Sequence, residues 1–160
     1  MSISYSYANH DKRQFFTCGL FGCARFRTIG TGHSARAFTI LLSERGTWSK
    51  DRVSVVSDVN TEFSDLQWNG LDIVVEVILM LIEIDGFDWI AAAMDNDSTA
   101  FTYMCNFAFH LRDTGAIKTL DQKFGSGKWQ RQYENLVKHN TDLSIQQVLT
   151  ARDRGLKILA

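Results

Sequence analysis

The N-terminal third of the chain carries short runs rich in Phe, Ile, Val and Thr, separated by glycines or polar clusters. Runs of this length and composition are typical of β-strands. They predict strands over residues 15–21, 23–29, 36–42 and 52–59. We expect these strands to form an antiparallel sheet of three to five strands. The chain contains no proline, so its turns must be made by Gly, Asn, Asp and Ser.

After residue 60 the hydrophobic pattern acquires the period of a helix. Every position from 73 to 84 is apolar except Glu76 and Glu83. In a strand these two carboxylates would lie on opposite faces, whereas in a continuous helix they join the polar residues of 65–72 within about 60° of arc. The pattern therefore predicts a largely buried helix with one acidic stripe, which consists of Asp65, Asp72, Glu76 and Glu83.

A second predicted helix carries a polar stripe of its own. Asp97 or Ser98 can cap it, Gly115 is a suitable stop, and the stripe contains Thr99, Thr102, Asn106, His110 and Asp113. A shorter helix over 87–94 and amphipathic helices over 129–137 and 145–152 complete the pattern.

Strands followed by helices indicate an α+β fold. The length of 160 residues suits one domain, strand-rich over 1–59 and helix-rich over 60–160.

The formal net charge is only −1, but the charges are segregated along the chain. Residues 1–58 carry a balance of +4, residues 59–113 a balance of −9, and residues 114–160 a balance of +4. Such blocks can neutralise one another inside a fold, or they can present surfaces of opposite sign to partners.

The sequence lacks the signals of export, of a membrane span and of a cofactor site. Its N-terminus has no apolar signal-peptide core, and the apolar stretch over 73–84 is too short to cross a bilayer. The odd set of Cys18, Cys23 and Cys105 suits reduced thiols better than disulfides. Residues 122–129 end like a Walker A loop, but Gln122 and Trp129 replace residues that such a loop requires. We therefore expect a cytoplasmic protein with no metal, no cofactor and no membrane association.

The two polar stripes supply the candidate catalytic residues. If the stripes face each other, Glu76 or Glu83 comes close to His110 and Asn106. A carboxylate beside a histidine suits proton transfer or the binding of a divalent ion. If each stripe faces water, the acidic stripe is instead a binding surface for a partner. We expect the second arrangement.

The N-terminal block offers a basic surface. In a strand over 23–29, Arg25 and Arg27 share one face while Phe26 lies on the other, and Arg36 adds a cation on the next predicted strand. This basic sheet of Arg25, Arg27 and Arg36 could hold a nucleic-acid backbone, although Phe26 would point away from the bases.

Three functional hypotheses follow from these patterns. The first is a small intracellular protein of the inhibitor, immunity or adaptor type, which binds another protein through segregated acidic and basic surfaces. The second is a nucleic-acid-binding protein that uses the basic sheet. The third is a small enzyme with a carboxylate/His site between two buried helices. The first is our leading hypothesis, and the sequence leaves the oligomeric state open.

Overall fold

The computed structural model describes residues 3–21, 29–139 and 143–159. Its internal contacts divide the chain into two compact units, Met1–Ile84 with Lys157–Ala160, and Asp85–Leu156. The single domain expected from the chain length stays a prediction.

The first unit is built on a four-stranded sheet. Its strands are β1 (Tyr5–Asn9), β2 (Gln14–Thr17), β3 (Val53–Ser57) and β4 (Leu71–Asp72), in the order β3-β1-β2-β4. β1 pairs antiparallel with β2 and β3, but β4 pairs parallel with β2. The α+β class is confirmed, and the four described strands lie within the expected three to five, although the pattern predicted neither β1 nor β4. The sheet is mixed rather than purely antiparallel, because β4 is connected to β2 by a long crossover and not by a hairpin turn.

Helices cover both faces of this sheet. α1 (Gly32–Leu42) supplies Phe38, which stacks on Tyr7 of β1 with ring centroids 4.3 Å apart. Trp48, in the turns that follow α1, packs against Phe16 at 5.6 Å. α2 (Thr61–Asn69) closes the other face through a buried apolar cluster, formed by Ala8, Phe15, Val56, Phe63 and Leu66.

The segment predicted as a strand over 36–42 is a helix. Its buried residues Ser34, Ala37 and Leu41 recur at helical spacing in α1. The β-branched Thr39 and Ile40 gave the segment the composition of a strand, but the alanines favour a helix and the packing surface required one. Of the strand predicted over 23–29, only residue 29 lies among the described residues.

The acidic segment is two helices and not one. α2 ends at Asn69, and α3 (Val74–Asp85) begins only after β4. The Leu71 amide donates to the Arg13 carbonyl at 2.9 Å, so sheet hydrogen bonds replace helical ones at this point. The helix predicted over 73–84 is confirmed, whereas its continuity with residues 65–72 is wrong.

The second unit consists of helices. They are α4 (Asp88–Ala93), α5 (Ser98–His110), α6 (Thr114–Phe124), α7 (Lys128–His139) and α8 (Leu143–Arg154). α5 is central: residues 100–108 are all buried, and α5 contacts the other four helices. The helices predicted for this part of the chain are confirmed. α5 nevertheless ends at His110 rather than near Gly115, because Asp113 caps a new helix by accepting from the Ala116 amide at 3.1 Å.

Among the helices of the described ranges, none combines the length and the apolar composition that crossing a bilayer requires.

Candidate functional site

The four residues of the acidic stripe differ in exposure. Asp65 and Glu83 are exposed, Asp72 is partly exposed, and Glu76 is buried in α3 with 5% of its surface accessible. The Arg13 guanidinium, 2.8 Å from the Asp65 carboxylate, lowers the pKa of that carboxyl. Three carboxylates thus remain accessible to a partner, but they lie on α2, β4 and α3 and do not share one helix face.

The basic sheet is not formed in the way the sequence suggests. Arg36 is exposed on α1 and therefore lies on a helix, not on a strand. Arg25 and Arg27 lie outside the described residues. A different basic surface is present on α7, where Lys128, Arg131 and Lys138 are exposed on one side of the helix.

The structure brings two of the candidate catalytic residues together. Asn106 and His110, one turn apart on α5, are joined by Tyr133 of α7. The Tyr133 hydroxyl donates to Asn106 Oδ1 at 2.6 Å, and His110 Nε2 lies 3.3 Å from the same hydroxyl. We call these three residues the polar trio. Glu76 and Glu83 belong to the first unit and the polar trio to the second, so the carboxylate/His pairing stays a prediction.

The hydrogen bonds of the polar trio determine the state of the histidine. The Tyr133 hydroxyl uses its single proton in the hydrogen bond that it donates to Asn106 Oδ1, so toward His110 Nε2 it can act only as an acceptor. Burial, followed by the nearby Arg152 cation, lowers the pKa of His110. A neutral His110 with its proton on Nε2 keeps a lone pair on Nδ1, which can accept a hydrogen bond or a proton.

Next to the polar trio lies an open cavity of about 560 Å³. Its lining is predominantly apolar and includes Phe109, His110, Tyr133, Glu134, Val137, Lys138 and Ile145. Large apolar side chains stay accessible at this cavity: Phe109 is 41% exposed and Val137 is 43% exposed. A concave apolar surface with a few convergent polar groups has the composition of a ligand-binding site.

Aromatic packing fixes the walls of the cavity. Phe109 stacks on Tyr133 with centroids 4.9 Å apart and meets the edge of Trp129 at 5.5 Å. The Trp129 indole donates to Asp121 Oδ1 at 2.7 Å, which ties α7 to α6. These contacts follow from the amphipathic pattern of α7, which turns Trp129 and Tyr133 inward at i and i+4.

The groups that the cavity presents are mainly apolar. Within the described ranges, no cluster of three or more His, Cys, Asp or Glu residues is placed to hold a metal ion. Burial raises the pKa of Cys18 and of Cys105 to about 12, so both thiols stay protonated and unreactive at neutral pH. What the cavity offers is apolar surface, a neutral imidazole and the charges of Glu134 and Lys138.

Sequence reasoning missed the role of Tyr133. Its spacing with Trp129 and Leu136 predicts that it faces inward on α7. An inward-facing tyrosine is usually interpreted as part of an apolar core. The only available signal was its hydroxyl, since a buried tyrosine usually finds a hydrogen-bond partner. The hydroxyl alone does not indicate which residue it contacts, and its partner Asn106 lies 27 residues earlier in the chain.

Comparison of the chain with protein-family models, with curated proteins and with solved structures gave no match.

Proposed function

We propose that this protein acts by binding another protein, and that the apolar cavity of the second unit receives apolar side chains of that partner. The observation that carries the proposal is the cavity itself, with Phe109 and Val137 left accessible at its lining. Grooves between helices commonly accept the apolar face of an amphipathic segment. A few buried apolar anchors can then supply most of the binding energy.

The charges around the cavity indicate an acidic partner. α7 carries Lys128, Arg131 and Lys138 against Glu134, and all four side chains are exposed. Carboxylates flanking the apolar anchors of a partner would meet this basic side of α7. Such exposed charge pairs increase the association rate and make it sensitive to salt, while the apolar contacts supply affinity.

The proposal can be tested by photo-crosslinking followed by reconstitution. A benzophenone side chain introduced at Val137 should crosslink a partner in the native host, and the same group at Lys118 on α6 is the control. The purified partner should then bind Lys138→Glu at least tenfold more weakly than wild type, with Lys118→Glu unchanged. Crosslinking at position 137 no stronger than at 118, or equal affinities of the two charge-reversal variants, would contradict the proposal.

One observation also supports a small enzyme as a second candidate. His110 is a neutral imidazole in an apolar cavity, held by a tyrosine, and such a group can act as a general base toward an apolar substrate. His110→Gln discriminates the two functions. A binding protein should keep most of its affinity for the partner in this variant, whereas an enzyme should lose turnover.

A further inference from the structure

A second cavity, in the first unit, is lined by groups of a different kind. It measures about 500 Å³ and is lined by His10, Arg13, Arg52, Asp65 and Leu66. The lining therefore combines two guanidinium groups and an imidazole with one carboxylate and one apolar side chain. This is a donor-rich site, unlike the apolar cavity of the second unit.

Arg13 is held in place by both its backbone and its side chain. Its φ of 54° lies in the left-handed region, which non-glycine residues rarely adopt. Its carbonyl accepts the Leu71 amide at 2.9 Å, and its Nη2 lies 2.8 Å from Asp65 Oδ2. Asp65 is itself fixed by the Asn69 side-chain amide at 2.8 Å. Strained backbone that the surroundings hold in place is concentrated at functional sites.

Arg52 and His10 are positioned in a similar way. Asp11 accepts from Nε of Arg52 at 2.9 Å and from its backbone amide at 2.8 Å. The His10 amide donates to the Arg52 carbonyl at 2.9 Å, and His10 Nε2 lies 2.6 Å from Ser54 Oγ. The turn before β2 and the residue before β3 thus bring both side chains to one cavity in defined orientations.

The cavity offers three groups of donors to a ligand. The ion pairs described above engage Nη2 of Arg13 and Nε of Arg52, and a guanidinium carries five N–H donors. Terminal N–H groups of both arginines therefore remain available. In the tautomer whose Nε2 accepts from the Ser54 hydroxyl, the Nδ1–H of His10 is the third donor. A phosphate monoester has three terminal oxygens, whereas a carboxylate has only two, and arginine binds phosphate in a two-pronged geometry.

We propose that this cavity binds the phosphate group of a small phosphate monoester, with the organic part of the ligand against the apolar atoms of the lining, among them the small part of Leu66 that the core leaves accessible. The volume of about 500 Å³ lies in the range of small-molecule sites. Because Asp65 and Asp11 already neutralise much of the arginine charge, recognition rests on directed hydrogen bonds and not on net charge. The site should therefore distinguish phosphate from other anions at equal ionic strength.

The experiment is an NMR titration of the full chain with inorganic phosphate, phenyl phosphate and acetate at constant ionic strength. We expect a saturable shift of the His10 ring signals, with phenyl phosphate binding more tightly than inorganic phosphate and acetate at least tenfold more weakly. Arg52→Gln should weaken phenyl phosphate binding at least tenfold. Arg45→Gln, an exposed arginine in the turn after α1 and outside the cavity lining, is the matched control and should leave it unchanged.

Three results would overturn the proposal. They are shifts that do not saturate, acetate binding as tightly as phosphate, and equal affinities of the Arg52→Gln and Arg45→Gln variants. Tighter binding of inorganic phosphate than of phenyl phosphate would overturn the assignment to a monoester. Both arginine positions are exposed, so the variants should fold, and an unchanged amide spectrum away from the cavity verifies this.

Discussion

Replacing Tyr133 by Phe tests the polar trio with a change of one hydroxyl group. The hydroxyl donates to Asn106 Oδ1 at 2.6 Å, and Asn106 is 0% exposed. The aromatic ring stays, so its stack on Phe109 at 4.9 Å is retained. Any loss of stability in Tyr133→Phe should therefore come from the two hydrogen bonds of the hydroxyl, the one donated to Asn106 and the one accepted from His110.

The expected cost is about 1–3 kcal/mol, the usual range when a buried polar atom loses its hydrogen-bond partner. Tyr103→Phe is the matched control, because it makes the same chemical change in the same unit. The Tyr103 hydroxyl donates to Gln147 Oε1, also at 2.6 Å, but Gln147 is only half-buried. Water can reach the amide of Gln147, so this variant should lose no more than about 1 kcal/mol.

Urea unfolding followed by far-UV circular dichroism gives the free energy of unfolding of both variants. Asn106→Leu, alone and combined with Tyr133→Phe, completes a double-mutant cycle. Removing both partners should cost less than the sum of the single changes, with a coupling of about 1 kcal/mol or more. Equal losses in Tyr133→Phe and Tyr103→Phe, or a coupling below about 0.3 kcal/mol, would refute the reasoning.

Three further predictions concern His110, a turn and a helix cap. The NMR titration midpoint of His110 should lie below the ordinary histidine value of about 6.5 and should rise in Arg152→Gln; an unchanged midpoint in this variant would exclude the cation as a cause. A lowered pKa in the folded state means that the unfolded chain binds the proton at a higher pH than the folded chain does. The free energy of unfolding should therefore fall as the pH drops from about 6.5 toward the titration midpoint of folded His110. A free energy of unfolding that rises over this pH range would contradict the lowered pKa. Gly46→Ala should destabilise the chain by about 3 kcal/mol, the upper end of the usual cost of overpacking, because its Cβ would lie 2.0 Å from the Leu41 carbonyl oxygen. A Tm close to that of the wild type would show that the turn can shift. Asp97→Ala should cost about 1 kcal/mol through loss of the cap on α5, which urea unfolding can measure.

Elements with local signals could be predicted from the sequence. α5 has a capping Asp97 directly before it, so a neighbouring residue defines its start, whereas its end at His110 precedes the Gly115 that the sequence suggested as a stop. α1 is the opposite case. Its Phe38 stacks on Tyr7 of a strand that the sequence does not indicate, because β1 buries polar Ser6 and Asn9 among its apolar residues. Where tertiary packing decides between helix and strand, composition alone gives the wrong answer.

The candidate site could be predicted only in part, for the same reason. Asn106 and His110 are one turn apart in one helix, so their proximity follows from the helical period. Tyr133 lies in another helix, 23 residues after His110, and only the packing of α7 on α5 brings its hydroxyl between them. The same limit applies to the cavity in the first unit, whose two arginines come from different segments of the chain.

Stability alone does not account for the polar trio. Apolar residues of the same size, packed on α5 and α7, would stabilise a helical core about as well as a buried hydrogen bond does. The trio instead gives orientation: Asn106 Oδ1 accepts a hydrogen bond from the Tyr133 hydroxyl, and that hydroxyl in turn favours the His110 tautomer with its proton on Nε2. The Nδ1 lone pair is thereby kept on a neutral ring at the lining of an apolar cavity. A small enzyme, the second candidate function, would need a base directed in this way. A binding protein would not, because its apolar contacts with a partner do not depend on that lone pair, and His110→Gln therefore separates the two candidates.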